Sequence, residues 1–213
     1  MLQIKSFTLN MIEENCYVVS DETNAAVIID DGAYYPGEAE AINEYVQKQN
    51  LRLVRSLATH AHFDHVWGTM NLYETYGLKT DFHTDDVALY DDFEGQMQMF
   101  FRRNLPLRPA PAGILLHEGD RIPFGNHELQ VIATPGHTPG GICLHCAAEQ
   151  VLFSGDSLFR GSVGRTDFPG GDHQMLLDSI KSKLLTLPDE TVVYPGHGPA
   201  TTIKNERETN PYL

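Results

Sequence analysis

Three histidines and an aspartate fall within six residues in Thr59-His60-Ala61-His62-Phe63-Asp64-His65, an H-x-H-x-D-H pattern in a chain that has ten histidines in all. In an extended segment residues i and i+2 point the same way, so His60 and His62 can grip one metal ion. A helix beginning near Asp64 turns Asp64 and His65 elsewhere, where they can hold a second ion. Two ions need further ligands, and three other places have the right form. His137 in Thr134-Pro135-Gly136-His137-Thr138, Asp156 in Phe153-Ser154-Gly155-Asp156 and His197 in Tyr194-Pro195-Gly196-His197 each follow a strand-like run and a glycine. Glycine permits backbone angles that turn the next side chain inward from a strand's end, and loops at strand ends are where sites are built. A single histidine at a strand end is ordinarily a satisfied polar residue. Four separate elements of this kind point to a metal centre with nitrogen and oxygen ligands. The other histidines read as ordinary: His127 and His145 on polar strand faces, His173 in a first helical turn, His117 in a loop, and His83 at a strand end.

The elements that must position these ligands alternate between strand and helix. Strands are predicted over Leu2–Leu9, Cys16–Ser20, Ala25–Asp30, Leu51–Ala58 and Lys79–His83 from their apolar patterning. Helices are predicted over Glu38–Gln49, with Ala41, Ile42, Tyr45 and Val46 on one face, over Asp64–Tyr76 with Gly77 as its stop, and over Asp85–Arg103. Leu105–Pro111 is proline-rich and reads as a loop. A run of strands follows at Ile114–Leu116, Arg121–Phe124, Glu128–Thr134, Gly141–Cys146 and Gln150–Phe153. Asp172 caps a last long helix through Leu176, Leu177, Ile180 and Leu184, and Thr191–Tyr194 is the final strand. Strands and helices without strict alternation suggest sheet packed on sheet with helices outside. No repeat or linker interrupts residues 1–213, which read as one domain. The Phe93–Pro111 segment is expected to cover the site, with Met97, Met99, Phe100 and Phe101 as an apolar wall, a core layer or a dimer contact.

Composition narrows the classes. The chain has 213 residues, 41% hydrophobic and 21% charged, with a formal net charge of −14. A chain of this length buries about 70% of its unfolded surface and needs no disulfides. The acidic balance argues against a nucleic-acid groove, while bound divalent cations would offset part of it. No apolar run approaches a membrane span, and Met1–Phe7 lacks a signal-peptide core, so a cytoplasmic location is expected. Cys16, Cys143 and Cys146 are an odd count that fits a reducing compartment. Cys143-Leu144-His145-Cys146 spells C-x-x-C, but inside a strand-like run it reads as buried thiols.

The set His60-x-His62-x-Asp64-His65, His137, Asp156 and His197 resembles the metallo-β-lactamase superfamily, and within it the short, glyoxalase II-like (hydroxyacylglutathione hydrolase-like) hydrolases. The resemblance runs through Thr134–Gly140, Gly161-Ser162-Val163-Gly164-Arg165-Thr166-Asp167 and the tail Thr209-Asn210-Pro211-Tyr212-Leu213. It implies an αββα sandwich, two mixed sheets flanked by helices, with metals at one edge. It implies His60, His62 and His137 at a first ion, Asp64, His65 and His197 at a second, and Asp156 bridging, so that Asp64 and Asp156 are the catalytic carboxylates. Zinc is the expected metal, with iron and manganese as alternatives, since nitrogen and oxygen ligands do not choose among them. The implied reaction is attack of a metal-bridging hydroxide on a thioester such as S-lactoylglutathione or a related hydroxyacyl-thiol. Arg165 either forks onto a substrate carboxylate or ties its loop to Asp167. One departure stands out: sixteen residues follow His197 in the 213-residue chain, so the glutathione contacts of the full-length enzymes' C-terminal helical domain cannot be carried over.

Other readings are weighed against this one. The persulfide dioxygenase group also shows a run like Gly164-Arg165-Thr166-Asp167-Phe168 and uses one iron held by two His and one Asp, here His60, His137 and Asp156. The lactamases with a cysteine ligand find none here, and flavodiiron proteins would carry an acid where His62 stands. A non-catalytic metal-binding scaffold is disfavoured because all seven ligands are present.

Overall fold

Residues 1–102 and 108–213 are described by a computed structural model. The start of the expected Leu105–Pro111 loop and the end of the helix expected to reach Arg103 lie outside the described residues.

Two six-stranded sheets form the centre. The first has the order β1-β2-β3-β4-β5-β6 from Gln3–Leu9, Glu14–Ser20, Ala25–Ile29, Arg52–Leu57, Thr80–His83 and Ala112–Leu116. The second has the order β14-β13-β10-β9-β8-β7 from Thr201–Thr202, Val192–Pro195, Val151–Gly155, Ile142–Cys146, His127–Ala133 and Arg121–Phe124. Strand alternation sends one set of side chains between the sheets, where Tyr17, Val27, Leu57, Val131, Leu144 and Phe153 pack together. The opposite set meets helices. Helices α1 (Pro36–Lys48) and α3 (Thr69–Tyr76) bury Ile42, Val46 and Leu72 against Val18, Ile28 and Leu53 of the first sheet. Helices α6 (His173–Ser179) and α7 (Ile203–Thr209) bury Leu176 and Ile203 against Cys143, Leu152 and Val193 of the second. This is the expected αββα arrangement.

Several boundaries differ from the expectation. The helix expected over 64–76 is two, α2 (Phe63–Val66) and α3, because Gly68 packs against Asp31 and donates its N–H to the Asp31 carbonyl at 2.8 Å. The helix expected from Asp85 is likewise two, α4 (Val87–Asp91) and α5 (Phe93–Phe101), broken at Asp92. The last long helix continues from α6 as a π-helical turn over Ile180–Leu184. A small hairpin, β11 (Leu158–Phe159) and β12 (Ser162–Val163), and the terminal β14 and α7 carried no apolar period long enough to show in sequence.

His145 is a correction. It is buried, not on a polar face, because β9 is a central strand covered on both sides. The same geometry separates the C-x-x-C pair: Cys146 faces the core between the sheets and Cys143 faces the helices. All three cysteines are free and buried. Among the described residues no helix is long and apolar enough to cross a membrane.

Candidate metal centre

Strand direction gathers the ligands. β3 and β4 run parallel, as do β10 and β13, and β8 shares that direction through two antiparallel steps across β9. The residues just after β3, β4, β8, β10 and β13 therefore share one edge of the sandwich. They are Asp30, the His60–His65 segment, His137, Asp156 and His197.

Here the seven residues meet. His60 Nε2 lies 3.2 Å from His137 Nε2, and His62 Nδ1 lies 2.9 Å from the same atom. Asp64 Oδ2 lies 3.4 Å from His65 Nε2 and 3.3 Å from His197 Nε2. Asp156 spans the two groups, with Oδ1 at 3.5 Å from His65 Nε2 and Oδ2 at 3.5 Å from His137 Nε2 and 3.7 Å from His197 Nε2. Glycine serves two different purposes. Gly155 adopts φ +47, turning the chain so that Asp156 points inward. Gly196 has no such angle; a Cβ there would strike Asp156 Oδ1 and the His65 ring.

The donor set fits metal ions. Three imidazole nitrogens converge at hydrogen-bond distance, which shared protons cannot satisfy for all three. His65 Nε2 and Asp156 Oδ1 are buried with no hydrogen-bond partner, a costly state that a cation relieves. His60, His62 and His137 form one triad able to hold an ion, and Asp64, His65 and His197 another.

The remote ring nitrogens of His60, His137 and His197 are held by oxygen acceptors, which turns lone pairs to the centre. His137 Nδ1 donates to the Arg165 carbonyl at 2.6 Å, and His197 Nδ1 to the Ile12 carbonyl at 3.1 Å. His65 Nδ1 faces Asp30 Oδ2 at 3.0 Å. The Thr59 hydroxyl donates to Asp30 Oδ2 at 2.7 Å, so at 3.1 Å from His60 Nδ1 it can only accept. His62 is the exception, presenting Nδ1 itself. Asp86 joins the two histidine loops: its carboxylate accepts from Ala61 N, Thr138 Oγ1 and Gly140 N. Gln96 of α5 accepts from Phe63 N and donates to the Ala61 carbonyl.

Charge follows position. Burial, reinforced by the neighbouring imidazoles, lowers His60 well below the usual histidine range and takes His62 down to about 4. Burial also opposes charge on His65 and His197, but Asp64 and Asp156 outweigh it and raise both, with Asp30 adding to His65. Burial would raise Asp64 and Asp156, yet His65 and His197 hold both below the ordinary carboxylate range. Behind His65, fully buried Glu14 has neither oxygen paired, and burial pushes its carboxyl well up.

Beside the ligands opens a cavity of about 510 Å³, lined by Phe63, Phe100, Phe101, Phe159, Phe168 and Arg165 among others. Of the segment expected to cover the site, Phe100 and Phe101 reach this cavity, whereas Met97 is buried core and Met99 is exposed. Arg165 closes its fork on Asp167, Nε at 2.8 Å and Nη2 at 2.7 Å, and lies over the Phe168 ring. Asp30, Asp86, Gln96, Glu14 and the phenylalanines beyond α5 carry no local motif. Only Asp30, an acid ending a strand like Asp156, had a signal that could have found it.

Comparison with known proteins places the chain in a family. The family described as metallo-beta-lactamase superfamily matches residues 12–197. The hydroxyacylglutathione hydrolase GloC of Haemophilus influenzae is 35% identical over 213 residues, covering 100% of this chain and 98% of that protein. The crystal structure of BLEG-1 B3 metallo-beta-lactamase superposes with a TM-score of 0.90 at 38% identity, covering 99% of each chain. That of TTHA1623 in a di-iron-bound form gives 0.86 at 40%, covering 98% of this chain and 100% of that one. The chain belongs to the metallo-β-lactamase superfamily, and curated relatives of similar length carry hydrolase names.

Proposed function

From that membership, we propose that the chain is a dinuclear metal-dependent thioester hydrolase acting on a small hydroxyacyl-thiol. The observation that carries this reading is Asp156, whose two oxygens reach both ligand groups. His60, His62 and His137 would hold one ion, Asp64, His65 and His197 the other, and Asp156 both. When bound, such ions supply a water ionised near neutral pH and Lewis acidity for the acyl carbonyl.

The chain's own residues do the rest. The acceptors on His60, His137 and His197 keep those rings in one tautomer, so they need no reorganisation during reaction. Asp86 and Gln96 hold the His60–Asp64 segment rigid against the His137 loop and α5. The cavity beside His62 excludes water from the acyl group and orients it. A thiolate departs without a proton from a protein acid, which suits a centre whose ionisable groups are all engaged as ligands. GloC's name makes S-lactoylglutathione the first substrate to assay.

The test is metal content and turnover of protein purified without chelators. Two ions per chain and hydrolysis of S-lactoylglutathione are expected, with zinc, iron or manganese identified by elemental analysis. One tightly held iron, with oxygen uptake on glutathione persulfide and no thioester hydrolysis, would replace this reading with the dioxygenase one.

A further inference from the structure

The wall beside the metal centre is aromatic and continuous. The Phe168 ring stands 5.7 Å from the His62 ring and 5.0 Å from that of Phe100, and Phe100 is 4.6 Å from Phe63. Phe63 rests on buried Trp67 at 4.8 Å, which anchors the wall in the core. The outer layer is not self-covering, since Phe100 remains 38% exposed. Apolar surface left facing a cavity is stabilised by a ligand that removes it from water.

Charge points the same way. Apart from histidines, Arg165 is the one cationic side chain among the described residues lining the cavity. Its fork is closed on Asp167, and its guanidinium lies 3.8 Å over the Phe168 ring. It therefore stiffens the wall and does not offer a free clamp for a carboxylate. Glutathione brings two carboxylates, and among the described residues lining this cavity no side chain besides Arg165 and the histidines is cationic.

Resting on the thioester reading above, we propose that Phe63, Phe100 and Phe168 select the acyl group, and that the preferred substrate is a thioester with an uncharged aromatic acyl substituent. The wall begins at the ligand His62, so it lies nearest the group joined directly to the reacting carbonyl. The thiol half extends toward the open side, where it makes fewer contacts. Phe168 and Phe100 are specificity-determining residues in this scheme, edge-to-face partners for a planar ring.

S-lactoylglutathione and S-mandeloylglutathione test this directly. They share the thiol and the α-hydroxyl and differ by a methyl against a phenyl. With the metal-loaded enzyme, kcat/KM for the mandeloyl ester is expected to exceed that for the lactoyl ester by about ten- to a hundredfold. Phe168→Ala should reduce that ratio below about threefold, while Phe168→Tyr retains it. Calorimetry supplies a readout besides turnover: mandelate should bind the loaded enzyme more tightly than lactate, and Phe168→Ala should erase the difference. Equal or lower kcat/KM for the mandeloyl ester, with the lactoyl ester hydrolysed, would overturn the aromatic selection and leave the hydrolase reading standing. Hydrolysis of neither by a fully loaded enzyme would overturn both.

Discussion

The ligand cradle and the cavity wall meet at His62 but are built on opposite terms. In the cradle His60 and His65 are 2% and 0% exposed, and the rings of His60, His137 and His197 are each oriented by an oxygen partner. The cradle hangs from the ends of five strands, so the sheet ladders fix it. The wall starts at Phe63 of α2, but its outer part is assembled from α5, the β11–β12 hairpin and the Gly164–Phe168 turn, elements outside both sheets, and around Phe100 and Phe168 it is held mainly by ring contacts and one surface ion pair. The hairpin in turn depends on α7, where buried Glu206 accepts from Gly161 N and Asn210 reaches the Ser162 carbonyl. A cradle fixed by directional bonds keeps its chemistry, while a wall of non-directional contacts can change its selectivity without disturbing the metals.

Substitutions can break this contrast or sharpen it. Asp156→Ala removes the one carboxylate shared by both groups. Hydrolysis should fall by about a thousandfold or more, with fewer ions per chain by elemental analysis; retained activity would refute the bridging role. Asp86→Ala leaves all seven ligands but frees the loops that carry them, so chelator competition should show metal affinity weakened by about 10- to 100-fold. Phe100→Ala is its counterpart in the wall and should leave metal affinity within about twofold, because no ligand leans on it.

pH should separate the two halves of the cradle in the metal-free protein. His60 and His62 are depressed, chiefly by burial, so the unfolded chain takes up protons first as pH falls below about 6.5, and stability is lost toward about 4. His65 and His197 are raised by carboxylates against the effect of burial, so their contribution is full below about 6.5 and is lost as pH rises through their raised values. Asp64 and Asp156 contribute above the carboxylate range and lose that only in stronger acid. A thermal midpoint highest near pH 6.5 is expected. Metal loading should abolish the decline at higher pH, because metal affinity rises as ligands deprotonate. The smallest effect is expected of Cys143→Ser with Cys146→Ser. These thiols are core side chains on opposite faces of β9, so stability should drop by about 1 to 2 kcal/mol with metal content and turnover intact under reducing conditions.

The residues that carry chemistry were legible along the chain because each has a local mark. The i, i+2 spacing of His60 and His62 and the glycines before His137, Asp156 and His197 are properties of a few consecutive residues. The layered fold was legible too, since periodicity reports which side of an element is buried. Gly196 was read as an angle-permitting residue, but its role is steric, and that depends on where His65 and Asp156 sit. Met97 and Phe100 could not be told apart in sequence: both are apolar positions of one helix, and only packing sends one into the core and the other to the cavity.

The sequence by itself determined the ligand types, their order and the sheet-on-sheet class, because these follow from residue chemistry and short-range pattern. Tertiary structure alone decided which oxygen faces which ring, that Asp30, Asp86 and Gln96 support the ligands, and that Arg165 turns to Asp167 and Phe168. The ligand supports join residues from separate strands and loops, and no spacing along a chain encodes the direction in which two distant side chains meet; Arg165 and Asp167 are near neighbours, and there the fold chose between two readings the sequence already offered.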